Sequence, residues 1–283
     1  MRLKILGSGG ACAIPRPGCD CEICHKARKD GIPYARTGPS MYVYGSGGIL
    51  FDTPEEIRQQ LEREQITQVS HVFYTHWHPD HTQGLRLFEQ MQLAYPDEHK
   101  KPAIDVYIPI NDLAAFEDHC KSLWYFQKQG WINIHEFDDR YPIQIGELWV
   151  IPLDFKRHDR VRYGYLIIED EKKVLYAPCS TYRLVTDHFY KNLDLMISEA
   201  GWTGSTKEVR ASLPPKHTWL DHISFEETVE LFRKIKPKQA ILTHIDGTRH
   251  HLPSASNDYL CQLAAEVTDI PIDIAYDGMQ IEL

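Results

Sequence analysis

The stretch "YTHWHPDH" at 74–81 constrains this chain more than any other. It sets His76, His78, Asp80 and His81 within six positions, straight after the apolar run "VSHVFY". Four ligand-type residues so close together at a strand end read as a metal site rather than a polar loop. Residues two apart on extended chain point the same way, so His76 and His78 are expected to grip one cation. Pro79 then forces a turn that presents Asp80 and His81 to a second. Two cations about 3.5–4 Å apart are the usual hydrolytic arrangement, in which they hold a water, lower its pKa and polarise the scissile bond.

The chain has 283 residues, enough for one α/β domain or two. Charged residues make up 25% and hydrophobic ones 42%, an ordinary globular balance that argues against extended disorder. A net charge of -9 argues against a general affinity for nucleic-acid backbone. The start "MRLKILGSGG" has no apolar h-region, and no run of about eighteen apolar residues exists, so neither a signal peptide nor a membrane helix is expected. Of seven cysteines, three crowd into "CDCEIC"; without an export signal that crowding reads as metal binding in a reducing, cytoplasmic setting.

Elements follow from periodicity and punctuation. "RLKIL" reads as a strand, followed by the Gly/Pro-rich loop "GSGGACAIPRPGCDCEIC". "SMYVYG" and "GGILFD" are strands around the glycines at 45–48. "TPEEIRQQLERE" is predicted as a helix with Thr53 as N-cap, Pro54 at its first position and Glu56 closing a capping box. "VSHVFYT" and "AIDVYI" are strands, with helices over "TQGLRLFEQMQLA" and about 112–128. "WINIHEF", "YPIQIGELWVIPLD" and "RYGYLIIEDEKKVLYAP" are strands with turns at Gly146 and at Asp170 and Glu171. "DLMISEA" and "QAILTH" are further strands. "SFEETVELFRKIK" is a helix with a capping box of Ser224 and Glu227, and 254–266 is another helix. "IDIAYDGMQIEL" is expected to end the chain as a hairpin about Asp277 and Gly278. No linker or repeat is visible, which predicts one α/β domain over 1–283, two sheets sandwiched between helices.

C-x-C-x-x-C at Cys19, Cys21 and Cys24 suits a tetrahedral zinc with a fourth ligand from elsewhere. The loop at about 17–25 has little core of its own, and a structural ion would stiffen it. "GSGG" at 7–10 is no nucleotide fingerprint; it reads as a turn that lets backbone approach the metal pocket.

"THWHPDHTQGL" resembles the HxHxDH signature of the metallo-β-lactamase superfamily, an αββα sandwich with two metals at one edge of its sheets. "ILFD", "IPLDFKRH" with "GYLI", and "ILTH" extend the resemblance over nearly the whole chain. It implies His76, His78 and His158 around the first metal, and Asp80, His81 and His244 around the second. The family's bridging aspartate has no counterpart: in "KVLYAPCSTY", Cys179 falls on that position, with Ser180 beside it. A thiolate there would favour zinc or iron; otherwise a water bridges, or the second site is weak. Together with "GSGGACAIPRPGCDCEIC", the signature is similar to the branch of the phosphodiesterase PhnP of phosphonate breakdown. That branch implies a structural-zinc histidine near "ILTHIDGTRHH", supplied here by His250 in preference to His251, with His25 a weaker candidate. It also implies that His222 sits over the metals. Preceding the Ser224 cap, His222 is placed to contact a phosphate oxygen or protonate the leaving alkoxide.

The expectation is therefore a metal-dependent hydrolase, a phosphodiesterase acting on a small or cyclic phosphate ester, with His222 and Asp80 in catalysis. Its cofactors would be two divalent ions, zinc or manganese with iron a further option, and one structural zinc. The alternatives on this fold are an RNA nuclease, against which the acidic balance counts, a redox-active metalloprotein, and a non-catalytic binding protein. Trp124, Tyr125, Trp131, Trp202 and Trp219 are expected mostly in core or interface packing, and an aromatic-rich surface would suit a homodimer.

Overall fold

The computed structural model describes residues 1–93, 101–155, 161–179, 181, 188–201, 222–246, 257–267 and 269–283. The strands in chain order are β1 (Arg2–Gly7), β2 (Ser40–Val43), β3 (Ile49–Phe51), β4 (His71–Phe73), β5 (Ile104–Pro109), β6 (Ile132–Phe137) and β7 (Ile143–Ile145). They continue with β8 (Leu148–Asp154), β9 (Tyr163–Glu169), β10 (Lys172–Ala177), β11 (Leu195–Glu199), β12 (Gln239–Thr243), β13 (Ile272–Ile274) and β14 (Met279–Glu282). Among the described residues they form two seven-stranded sheets, ordered β14-β1-β2-β3-β4-β5-β6 and β13-β12-β11-β10-β9-β8-β7.

Each sheet is mixed. β3 to β6 and β10 to β13 run parallel to their neighbours, and the flanking pairs are antiparallel. Strands covered on both faces must be apolar on both. β9 shows how: Tyr163, Tyr165 and Ile167 face the partner sheet with Phe51 and Phe73. Leu166 faces the other way, onto the layer with Phe225, Val229 and Phe232 of the helix Phe225–Ile235. A third core lies outside the first sheet, where Leu61, Phe88, Phe116, Leu123 and Phe126 cover Leu50, Val72 and Val106. Trp124 and Trp131 pack at its margin, while Tyr125 is 53% exposed. The result is the expected αββα sandwich. Its parallel strands end together at one edge, and that edge carries the site.

Four local expectations change. The helix at 53–64 begins only at Ile57, with Glu56 as its N-cap residue and no side-chain cap. Thr53 Oγ1 instead bonds Tyr74 Oη at 2.8 Å. The helix expected over 82–94 forms only at Leu87–Gln92, and a separate short helix, Pro79–Thr82, precedes it. Gly84 causes the break between them, because its amide donates to Thr53 O at 2.8 Å and a Cβ there would stand 2.2 Å from Pro54 O. The 112–128 segment is also two helices, Leu113–His119 and Ser122–Lys128. Buried Cys120 leaves the helical region at φ -119 and turns the second so that Leu123 and Phe126 also reach the core. Finally, β13 and β14 are not a hairpin but edge strands of different sheets. Asp277 ties the crossing down by accepting from Ser8 N and Oγ and from Thr37 N, at 2.8–2.9 Å. The Ser224 and Glu227 capping box forms as expected.

Candidate metal centre

Asp52, fully buried just past β3 in a left-handed conformation (φ 60), organises the cluster. One carboxylate oxygen accepts from Thr75 N at 2.8 Å, and the other lies 2.7 Å from His81 Nδ1. That contact fixes the ring and aims Nε2 of His81 into the site. His76 Nδ1 meets Thr75 Oγ1 at 2.9 Å, so His76 likewise presents Nε2. The short helix Pro79–Thr82 delivers Asp80, whose Oδ2 lies 3.3 Å from His81 Nε2 and 3.5 Å from His244 Nε2. His244 follows β12 at φ 54, its ring stacked 5.5 Å from that of His81. Its setting needs Gly10, where a Cβ would stand 2.9 Å from His244 Nδ1; "GSGG" does bring backbone to the pocket, but as extended chain bridging Ile245 rather than as a turn.

Two overlapping groups have ligand atoms all within 4.8 Å of one another: His76, His81 and Cys179, and Asp80, His81 and His244. Nε2 of His76, His81 and His244 is buried without a hydrogen-bond partner. Three such orphans in one place are costly unless something accepts their lone pairs. A divalent cation does so, and imidazole, carboxylate and thiolate are its ordinary donors. The residues present therefore fit a metal.

Ionisation agrees. Burial, then the positive charge of Arg162, holds His76 far below the usual histidine range, in its neutral ligating form. Burial alone would raise Asp80 and Cys179, but the histidines beside them hold both well below their ordinary values. Burial opposes charge on His244, yet Cys179 and Asp80 push its pKa up to about 10.

His78 lies beside His76, their rings 4.6 Å apart, and its Nε2 lies 3.0 Å from Arg162 Nη2; among the described residues it joins neither group. His158 and Ser180 lie outside the described residues, as do His250, His251, Trp202 and Trp219. Cys19, Cys21 and Cys24 converge within 4.8 Å, ahead of and within the helix Glu22–Asp30. Burial pushes the Cys24 thiol up to about 11. His25, exposed on that helix, pairs with Asp20 at 2.6 Å.

His222 lies next to the cluster, its ring 5.7 Å from that of His244. Its Nδ1 lies 2.5 Å from Glu199 Oε2, while Glu199 Oε1 accepts from Thr181 N and Oγ1 at 2.6 and 2.9 Å. Burial disfavours charge on His222, but the Glu199 carboxylate and Cys179 outweigh it and raise the pKa. Sequence reasoning did not single out Glu199, Thr75 or Arg162. The available signal was an acidic residue closing the apolar run of the strand in "DLMISE". A cavity of about 130 Å³ opens beside Asp80 between Gly10, Pro54 and Gln83.

A family model for the beta-lactamase superfamily domain matches residues 48–245. The chain belongs to the beta-lactamase superfamily. As a superfamily member it carries a metal-dependent hydrolase fold, and its relatives diverge in what they do. It is 25% identical to an octanoyltransferase of Porphyromonas gingivalis (strain ATCC BAA-308 / W83) over 289 residues, 99% of this chain and 51% of that one. The chain thus spans about half the length of that relative. It is 24% identical to coenzyme PQQ synthesis protein B of Acinetobacter baumannii (strain AYE) over 329 residues, 100% of both. Among solved structures, a diphosphatase of the PhnP family superposes with TM-score 0.73 at 23% identity, over 100% of this chain and 97% of that one. Zn²⁺-bound PqqB from Methylobacterium extorquens superposes at 0.74 with 18% identity, covering all of both chains. These likenesses are of fold.

Proposed function

We propose that this superfamily member hydrolyses a phosphodiester, with a small or cyclic phosphate ester as substrate and the whole chain acting as one domain. The observation that carries the reading is the convergence of three orphaned imidazole nitrogens and a carboxylate beside the Glu199 and His222 pair. Divalent cations bound there would lower the pKa of a water and polarise the phosphoryl oxygens. The chain's own groups do the rest. Asp52 fixes the His81 ring, and Asp80 brings negative charge against two imidazoles. Glu199 orients His222 so that its Nε2 faces the site with a proton to give the departing alkoxide. Arg162 adds a fixed positive charge suited to a phosphate. Cys19, Cys21 and Cys24 are assigned to a structural zinc.

The likeness to a PhnP-family diphosphatase supports a phosphoryl substrate through fold alone. One observation favours a second reading: Cys179 stands in a ligand group, and a soft thiolate suits redox-active iron as well as zinc. The test is turnover of bis(p-nitrophenyl) phosphate by protein loaded with Mn²⁺ or Zn²⁺. The proposal expects hydrolysis that His76→Ala and His81→Ala abolish while circular dichroism stays unchanged. Equal activity in both variants ends it, and an iron charge-transfer band without hydrolysis moves the chain to the second reading.

A further inference from the structure

His244 holds φ 54, a left-handed conformation that a residue with a side chain keeps only where its surroundings impose it. The chain on either side supplies the constraint. Before it, Thr243 O accepts from Ala200 N at 2.8 Å. After it, Ile245 is gripped by the segment that follows β1: Ile245 N donates to Ser8 O at 3.0 Å, and Gly10 N donates to Ile245 O at 3.2 Å. Gly10 also lies against the imidazole, since a Cβ there would stand 2.9 Å from Nδ1. Residues 8–10 therefore help to set where His244 Nε2 points, 3.5 Å from Asp80 Oδ2.

A short segment imposes a conformation only if it is itself held. Asp277, 3% exposed between β13 and β14, holds this one with both carboxylate oxygens. Oδ1 accepts from Ser8 N at 2.9 Å and from Ser8 Oγ at 2.8 Å. Oδ2 accepts from Thr37 N at 2.9 Å and from Thr37 Oγ1 at 2.5 Å, and Thr37 O in turn accepts from Gly9 N at 2.8 Å. One oxygen thus fixes Ser8 directly, and the other fixes Gly9 through Thr37. Both routes end on the segment that grips Ile245. Arg36 Nη1 braces the same point, donating to Ser8 Oγ at 2.7 Å and to Ala275 O at 2.5 Å.

We propose that Asp277 is a positioning residue for the metal centre. It acts through the backbone of Ser8, Gly9 and Gly10 to keep His244 in its left-handed conformation, with Nε2 aimed at the cation. This rests on reading the cluster as a cation centre with His244 as a ligand, and does not require phosphodiester hydrolysis.

The test is a double-variant cycle on zinc affinity. An amide matches a carboxylate in shape but has one acceptor oxygen, so Asp277→Asn turns an NH₂ group toward Ser8 or Thr37. The hydroxyls can rotate to accept from it; a backbone N–H cannot, and one is left stranded. Metal-stripped full-length chain is titrated with Zn²⁺ by calorimetry as wild type, Asp277→Asn, His244→Ala and the double variant, with circular dichroism to establish folding. The binding step that His244→Ala weakens belongs to the centre. Asp277→Asn is expected to weaken that step about tenfold, the usual result of losing a group that orients a ligand. It is expected to add nothing in the His244→Ala background, where no imidazole remains to be positioned. Full affinity in Asp277→Asn, or the same tenfold loss repeated in the double variant, overturns the assignment. Should Asp277→Asn not fold, Gly9→Ala takes its place in the cycle, because its methyl would stand 2.6 Å from Thr37 O and part the same link. If His244→Ala weakens no step, the cation-centre reading fails and takes this assignment with it, an outcome distinct from the failure of Asp277 alone.

Discussion

Glu199 Oε2 lies 2.5 Å from His222 Nδ1, and the other oxygen of the same carboxylate is held by Thr181. A carboxylate clamped on one side can only orient the imidazole on the other. Thr228 Oγ1 adds a bond to the Glu199 carbonyl at 3.3 Å, so the acid's backbone is fixed as well.

Glu199→Gln is expected to lower kcat about 10- to 100-fold with a smaller change in KM, the usual cost of losing a group that orients an imidazole. The sign of its pH effect follows from the raised pKa of His222. The wild-type imidazole keeps its proton to higher pH than an ordinary histidine. Removing the carboxylate charge lowers that pKa, so the alkaline limb of the kcat profile moves to lower pH. An unmoved limb removes His222 as proton donor.

Gly10→Ala tests the backbone approach beneath the centre. The added methyl would stand 2.9 Å from His244 Nδ1 and 3.1 Å from Asp246 Cβ, so His244 must shift. About tenfold weaker Zn²⁺ binding, of the size seen when a ligand loses its orientation, is the expected calorimetric result. Unchanged affinity would show that His244 is not a ligand.

The cysteine loop gives a pH-dependent prediction of definite sign. Burial pushes the Cys24 thiol up to about 11, and a metal must displace that proton to bind. Zinc affinity of the loop therefore rises with pH through the neutral range, and Cys24→Ser removes that ion. Competition with a chromophoric chelator at two pH values measures it. Affinity independent of pH contradicts thiolate ligation.

Ser224→Ala removes one half of the capping box on Phe225–Ile235. A loss of about 1 kcal/mol in urea unfolding is expected, typical of an N-cap serine. His222 lies two residues before this cap, so the same variant should also lower kcat modestly. A stability loss with no kinetic effect would separate the helix from the proton donor.

The sequence spoke most clearly where one local rule governs. The six-residue spacing from His76 to His81 pointed to a metal site because that density of ligand types has few other uses, and among the described residues His76, Asp80 and His81 do fall in groups of converging ligand atoms. The αββα layers followed from strand periodicity and the resemblance. The Ser224 cap formed because its hydrogen bonds are purely local. The Thr53 cap failed because Tyr74, distant in sequence, took the hydroxyl. The closing hairpin failed because Asp277 finds Ser8 and Thr37, and no turn propensity records those partners. Arg162 and Glu199 were illegible for the same reason: each is an ordinary charged residue until the folded edge of the sheets sets it against a histidine.

The central claim is that the orphaned nitrogens exist to hold a cation. Anomalous diffraction at the zinc edge, from crystals grown with Zn²⁺, tests it most directly. The account predicts a peak about 2.0–2.1 Å from His81 Nε2, within ligand distance of Asp80 and His244. Crystals with zinc in the cysteine loop but no peak beside His81 would contradict it.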